Sequence, residues 1–91
     1  MKFRKKPVEI DAWLIRELVA DFDAIRMLPP HIVQGMSGNV LQFVSNGIHI
    51  RTLEGGMFGR LEDILIMGVM GEFYSCRPDV FEATYERVGD D

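Results

Sequence analysis

The chain has 91 residues, 47% of them hydrophobic, and a formal net charge of -4. That length supports a single domain, residues 1–91, around one small core, and that apolar content excludes a disordered chain. Lys2, Arg4, Lys5 and Lys6 hold four of the ten basic residues, and the other six, all arginines, share the chain with fourteen acids. An acidic body of this kind does not suit general binding of a nucleic-acid backbone.

Pro7 to Ile15 alternates, with Val8, Ile10 and Ala12 on one side and Glu9, Asp11 and Trp13 on the other. This predicts a strand with one buried face. Pro7 suits its first position, where no main-chain donor is needed. Trp13 then lies on the acidic face, over a second small core or a contact surface. From Glu17 to Leu28, the apolar residues Leu18, Phe22, Ile25 and Leu28 recur at helical spacing, which predicts a helix stopped by Pro29-Pro30. His31 to Asn39 starts apolar and loosens into Gly35-Met36-Ser37-Gly38-Asn39, so a turn or loop is expected.

Val40 to Leu53 reads as a β-hairpin around Asn46-Gly47, a pair favoured in type I′ turns. A two-residue loop there sets Val44 opposite His49, Phe43 opposite Ile50 and Gln42 opposite Arg51. Leu41, Phe43, Ile48 and Ile50 then share a core face, and Gln42, Val44, His49 and Arg51 share a half-polar outer face. Met57 and Phe58 sit between glycines as a short edge strand. Ile64 to Met67 is uniformly apolar and reads as a central strand. Gly68 to Gly71 is a turn, and Glu72 to Arg77 returns antiparallel. Pro78 starts a short helix with Asp79 in its first turn and an inner face of Val80, Phe81, Thr84 and Tyr85. Gly89-Asp90-Asp91 is a frayed end. About five strands and two short helices give an α+β fold, expected as a small antiparallel, strongly curved sheet or partly open barrel.

Cys76 is the only cysteine. It excludes an internal disulfide, makes a poor zinc set with two histidines, and fits a reducing compartment. The basic opening runs into Pro7, Glu9 and Asp11 rather than an apolar stretch, so no signal peptide is read, and no run reaches membrane-spanning length. The expected location is the cytoplasm.

Five residues stand out as candidates for binding a ligand or partner: Gln42, His49, Arg51, Tyr74 and Arg77. Arg51, Arg60 and Arg77 form an anion clamp if they gather on one surface, and Tyr74, which alternates with Cys76 and Glu72, is expected to share a pocket wall with His49 and Gln42. The plainer reading pairs the arginines with the excess acids. His49 and Cys76 lack an evident third group to orient a catalytic pair, and Cys76 reads as a small buried apolar residue. Glu62, Asp63 and Glu72 read as turn carboxylates rather than a metal set. Gly55-Gly56 and Gly68-Val69-Met70-Gly71 lack the lysine and the strand-to-helix context of a phosphate loop. Met36, Met57 and Met70 fall in glycine-rich stretches, as gap fillers or as an adaptable protein-binding surface. No cofactor and no enzymatic activity are expected.

Phe3 to Trp13 (F-R-K-K-P-V-E-I-D-A-W), Thr52 to Gly55 (T-L-E-G) and Gly68 to Glu86 (G-V-M-G-E-F-Y-S-C-R-P-D-V-F-E-A-T-Y-E) resemble a family of small, largely uncharacterised bacteriophage and prophage proteins. The matching pieces cover about half the chain. Where that family places a glycine-acid-aromatic step before the central strand, this chain has Glu62-Asp63-Ile64. The resemblance carries no catalytic residues. It implies a phage accessory protein in the host cytoplasm that occludes or redirects a host or phage protein. The alternative is an oligomeric binder of a small nucleotide-like anion through Arg51, Tyr74 and Arg77. Self-association, no membrane contact and no nucleic-acid binding complete the expectation.

Overall fold

In a computed structural model, residues 1–4, 7–22 and 28–88 are described. The order of elements is β1 (Asp11–Leu14), α1 (Ile15–Ala20), α2 (Pro30–Ser37), β2 (Leu41–Val44), β3 (Gly47–Thr52), β4 (Gly55–Arg60), β5 (Ile64–Met67), β6 (Phe73–Cys76) and α3 (Pro78–Thr84). The strands form two separate three-stranded antiparallel sheets, β1-β5-β6 and β2-β3-β4. The fold is α+β, but the strongly curved sheet or partly open barrel is not formed. The division is made at Leu61-Glu62-Asp63. There the Asp63 carboxylate accepts the Arg60 N–H at 2.9 Å and the Asp63 N–H bonds the Arg60 carbonyl. The chain turns sharply off β4, and β5 pairs with β1 and β6 instead of extending the hairpin sheet.

The strand expected from Pro7 is shorter, and Ile15 begins a helix. That helix takes its start from tertiary partners, because the Ile15 and Arg16 N–H groups bond the Asp63 and Leu61 carbonyls. Trp13 packs on the main core and lies opposite fully buried Leu65, whereas Val8 is exposed. α1 ends at Ala20 rather than Leu28. Its predicted continuation through Ile25 falls outside the described residues, as does the expected frayed end at Gly89-Asp90-Asp91. Phe22, beyond the helix, stacks on Phe43 with ring centroids 5.4 Å apart.

The expected loop at His31 to Asn39 is helix α2. Pro29-Pro30 opens it: Pro30 takes the first turn, where its missing N–H costs nothing. Gly35 faces inward, and a side chain there would meet Leu41 at 2.7 Å and Phe73 at 3.2 Å. The helix stops in a Schellman motif. Asn39 sits at φ 60°, its N–H bonds the Met36 carbonyl, and the Val40 N–H bonds the Gly35 carbonyl.

The hairpin forms with a shifted register. Val44 pairs with Gly47, Phe43 with Ile48, Gln42 with His49 and Leu41 with Ile50, so the loop is Ser45-Asn46. Asn46 lacks the positive φ that a type I′ turn needs. Gly47 enters the strand instead, because the Gly59 carbonyl and the Phe58 ring occupy the space where its side chain would be. A shift of two residues leaves every side chain on its expected face. Leu41, Ile48 and Ile50 are buried, with Ile15, Leu18, Leu28, Ile32, Leu65 and Phe73, in one core between the sheets.

β4 is longer than the short edge strand expected around Met57 and Phe58. β5 is central in its sheet, and β6 returns antiparallel through the Gly68–Gly71 turn. Helix α3 begins at Pro78, but its expected inner face is not buried: none of its residues is, and Val80 stands exposed. No helix among the described residues is long and apolar enough to cross a membrane.

Candidate functional site

The outer face of β2-β3-β4 carries the densest group of predicted residues. Gln42, His49 and Phe58 stand side by side across the three strands, paired in register. The His49 and Phe58 rings lie 4.8 Å apart and tilted by 57°. One step along β3, Arg51 lies opposite Gly56, and Thr52 lies opposite Gly55. Glycine supplies no side chain, so β4 leaves a gap beside Arg51. The result is an open groove of about 590 Å³ that Asn39, Gln42, His49, Arg51, Gly56 and Phe58 help to line. Thr52 Oγ1 donates to the Gly55 carbonyl at 2.7 Å and holds the turn at the groove's end. Arg51 makes no ion pair among the described residues. The face thus offers one guanidinium, the hydrogen-bonding side chains of Gln42 and His49, and an aromatic ring.

Tyr74 and Arg77 are not part of this surface. On β6, Phe73 belongs to the core between the sheets, and Ser75 approaches Gly59 of β4. Side chains alternate, so Tyr74 and Cys76 point to the opposite side. The predicted common pocket wall therefore splits into two faces directed away from each other. Glu72, Tyr74 and Cys76 do share one of them.

Tyr74 lies near the hydroxyl of Tyr85, at 3.4 Å. Burial, that contact and the nearby Glu72 and Cys76 push its pKa up to about 12. Arg77 precedes α3 and pairs with Asp79 at 3.0 Å. Arg60 pairs with Glu62 at 3.1 Å and Asp63 at 3.5 Å. Arg60 and Arg77 are thus engaged with local acids, and the three arginines do not gather into a clamp.

Cys76 is half-buried rather than a buried core residue, and its Sγ lies 3.5 Å from the Arg77 carbonyl. Burial, then Asp63 and Asp79, raise its pKa, which keeps the thiol protonated and weakly nucleophilic. His49 faces the other way, against Phe58. No group of three metal-ligating side chains occurs among the described residues. Asp63 is 5% exposed and its Oδ1 has no hydrogen-bond partner among the described residues, while Oδ2 holds the Arg60 turn.

Two of the three methionines read as loop residues, Met36 and Met57, pack against the core. Met70, 85% exposed in the β5–β6 turn, is the one that projects. Sequence reasoning missed Asn39 and the β4 contribution of Phe58. The signal was period-two spacing from Gly55 to Arg60, obscured because three of those six positions are glycine.

No protein-family model, curated protein or solved structure matches the chain. The likeness to small phage proteins through Phe3 to Trp13, Thr52 to Gly55 and Gly68 to Glu86 gains no support from these comparisons.

Proposed function

We propose that this protein is a non-enzymatic binding module that grips another protein through the outer face of β2-β3-β4. The observation that carries the reading is the groove beside Arg51. It sets a cation that has no ion pair among the described residues, with the hydrogen-bonding side chains of Gln42 and His49, against the Phe58 ring on the hairpin sheet. Arginine and aromatic side chains are enriched where proteins meet. The partner segment that fits presents a carboxylate to Arg51 and an apolar group to Phe58. Binding occludes that partner's surface. The partner is a host or phage protein in the cytoplasm of an infected bacterium, as the phage-like strings imply. The opposite orientation of His49 and Cys76 supports binding rather than covalent catalysis.

The test is the double variant Gln42→Ala/Arg51→Ala, in which both altered side chains are exposed. It should keep the wild-type circular dichroism and thermal midpoint and lose the partner recovered by the wild type in an affinity pull-down from infected cells. Undiminished recovery by the double variant would sink the reading. The anion-binding alternative rested on Arg51, Tyr74 and Arg77 together. The structure places them on two faces, so nothing in the geometry favours it.

A further inference from the structure

A second surface, away from the Gln42–Arg51 face, runs along the open edge of β1. In its sheet β1 is an outer strand, paired among the described residues only with β5. The ladder fixes which of its main-chain groups are spare. The Gly68 N–H bonds the Glu72 carbonyl, so the even-numbered residues of β5 bond β6 and the odd-numbered ones bond β1. The Ile15 N–H to the Asp63 carbonyl gives the same parity from the other end. Asp11 and Trp13 therefore bond β5, and the N–H and C=O of Ala12 point outward.

Beside β1 lies a groove of about 640 Å³, lined by every residue from Val8 to Leu14, by Ile64 of β5, and by Phe81 and Tyr85 to Val88. Among the described residues that line it, exposed Glu9, Asp11 and Glu86 outnumber Arg87 and make the rim acidic. The same chain supplies a complement. Met1 to Arg4 are exposed, with Phe3 at 87%, and carry Lys2 and Arg4.

We propose that two copies of this chain pair antiparallel, each laying its Lys2–Arg4 segment along the β1 edge and acidic groove of the other. In a two-fold antiparallel pair the axis passes through a residue and its own copy. An axis at Glu9, Ile10 or Asp11 sets carboxylates opposite one another. An axis at Val8 sets Arg4 opposite Ala12, beside Asp11. It also puts Pro7 opposite Glu9, where the main chain needs no donor. Each exposed β1 edge is then covered by the N-terminal segment of the other copy.

The test is sedimentation velocity on the full chain across protein and salt concentrations. A concentration-dependent dimer that weakens as salt rises is expected. Ala12→Pro should lose about tenfold or more in dimer affinity, the worth of two main-chain hydrogen bonds. Its circular dichroism should be unchanged, because the Ala12 N–H is not part of the β1–β5 ladder. Arg4→Glu should weaken the dimer, and Arg4→Glu combined with Asp11→Arg should restore it. This charge pair decides the matter if Ala12→Pro fails to fold. A monomer under all conditions overturns the proposal, as does a dimer indifferent to these substitutions. A dimer broken by Gln42→Ala/Arg51→Ala and not by Ala12→Pro would assign self-association to the other face.

Discussion

Tyr74 shows how a single side chain links position to pH. Its hydroxyl lies between the sheet and α3, near Tyr85, and its pKa is pushed up to about 12. An unfolded tyrosine titrates near pH 10. Below that value both states keep the proton and the folded protein has the full benefit. As pH rises further the unfolded chain ionises first, so stability falls and the contribution is gone by the folded value. The wild-type thermal midpoint should therefore drop between about pH 10 and about pH 12, and Tyr74→Phe should flatten that drop. An unchanged slope in the variant would show that Tyr74 does not set it. That Tyr74 shares a face with Glu72 and Cys76 was legible from alternation. That the face looks away from His49 was not, because alternation within one strand says nothing about how two sheets are stacked.

At the scale of elements, α2 and the hairpin mark the reach of local signals. The hairpin faces followed from the two-residue period, and a two-residue register shift left them intact. Helix α2 was hidden because Gly35 reads as a breaker. Its absent side chain is what admits Leu41 and Phe73, so a packing requirement overrode helix propensity. The stop at Asn39 was the available clue. A non-glycine residue with a β-carbon in the left-handed region costs roughly 1–2 kcal/mol, and asparagine tolerates it best. Asn39→Ala should destabilise the fold by about 1 kcal/mol in urea unfolding, whereas Asn39→Gly should hold or raise stability. Equal midpoints for alanine and glycine would contradict the left-handed stop.

At the scale of the whole molecule, the two sheets meet where β4 approaches β6. Gly59 sits at that contact, and a methyl group there would lie 2.5 Å from Ile15 Cδ1 and 3.1 Å from Ser75 Cβ. Ile15 is fully buried, so it has little room to withdraw. Gly59→Ala should cost roughly 1–3 kcal/mol through overpacking, a fall of about 4–8 °C in Tm for each kcal/mol in a domain of this size. Calorimetry that finds no loss would mean the sheets can separate slightly without penalty.

The sequence by itself determined the α+β class, the paired faces of the hairpin, the central position of Ile64–Met67, the Gly68–Gly71 turn and the helix start at Pro78. Each depends on side-chain alternation or on the restricted backbone of proline and glycine, which act within a few residues. Only the tertiary structure decided that there are two sheets rather than one curved sheet. It also decided that Gly35 and Gly59 are contact points rather than breaks, and that Arg51 stands apart from Tyr74 and Arg77. Those outcomes depend on which surfaces meet across the core. That is settled by the close approach of residues distant in sequence, such as Gly59 with Ile15 and Ser75, and by the Arg60–Asp63 turn that sends β5 to a different partner.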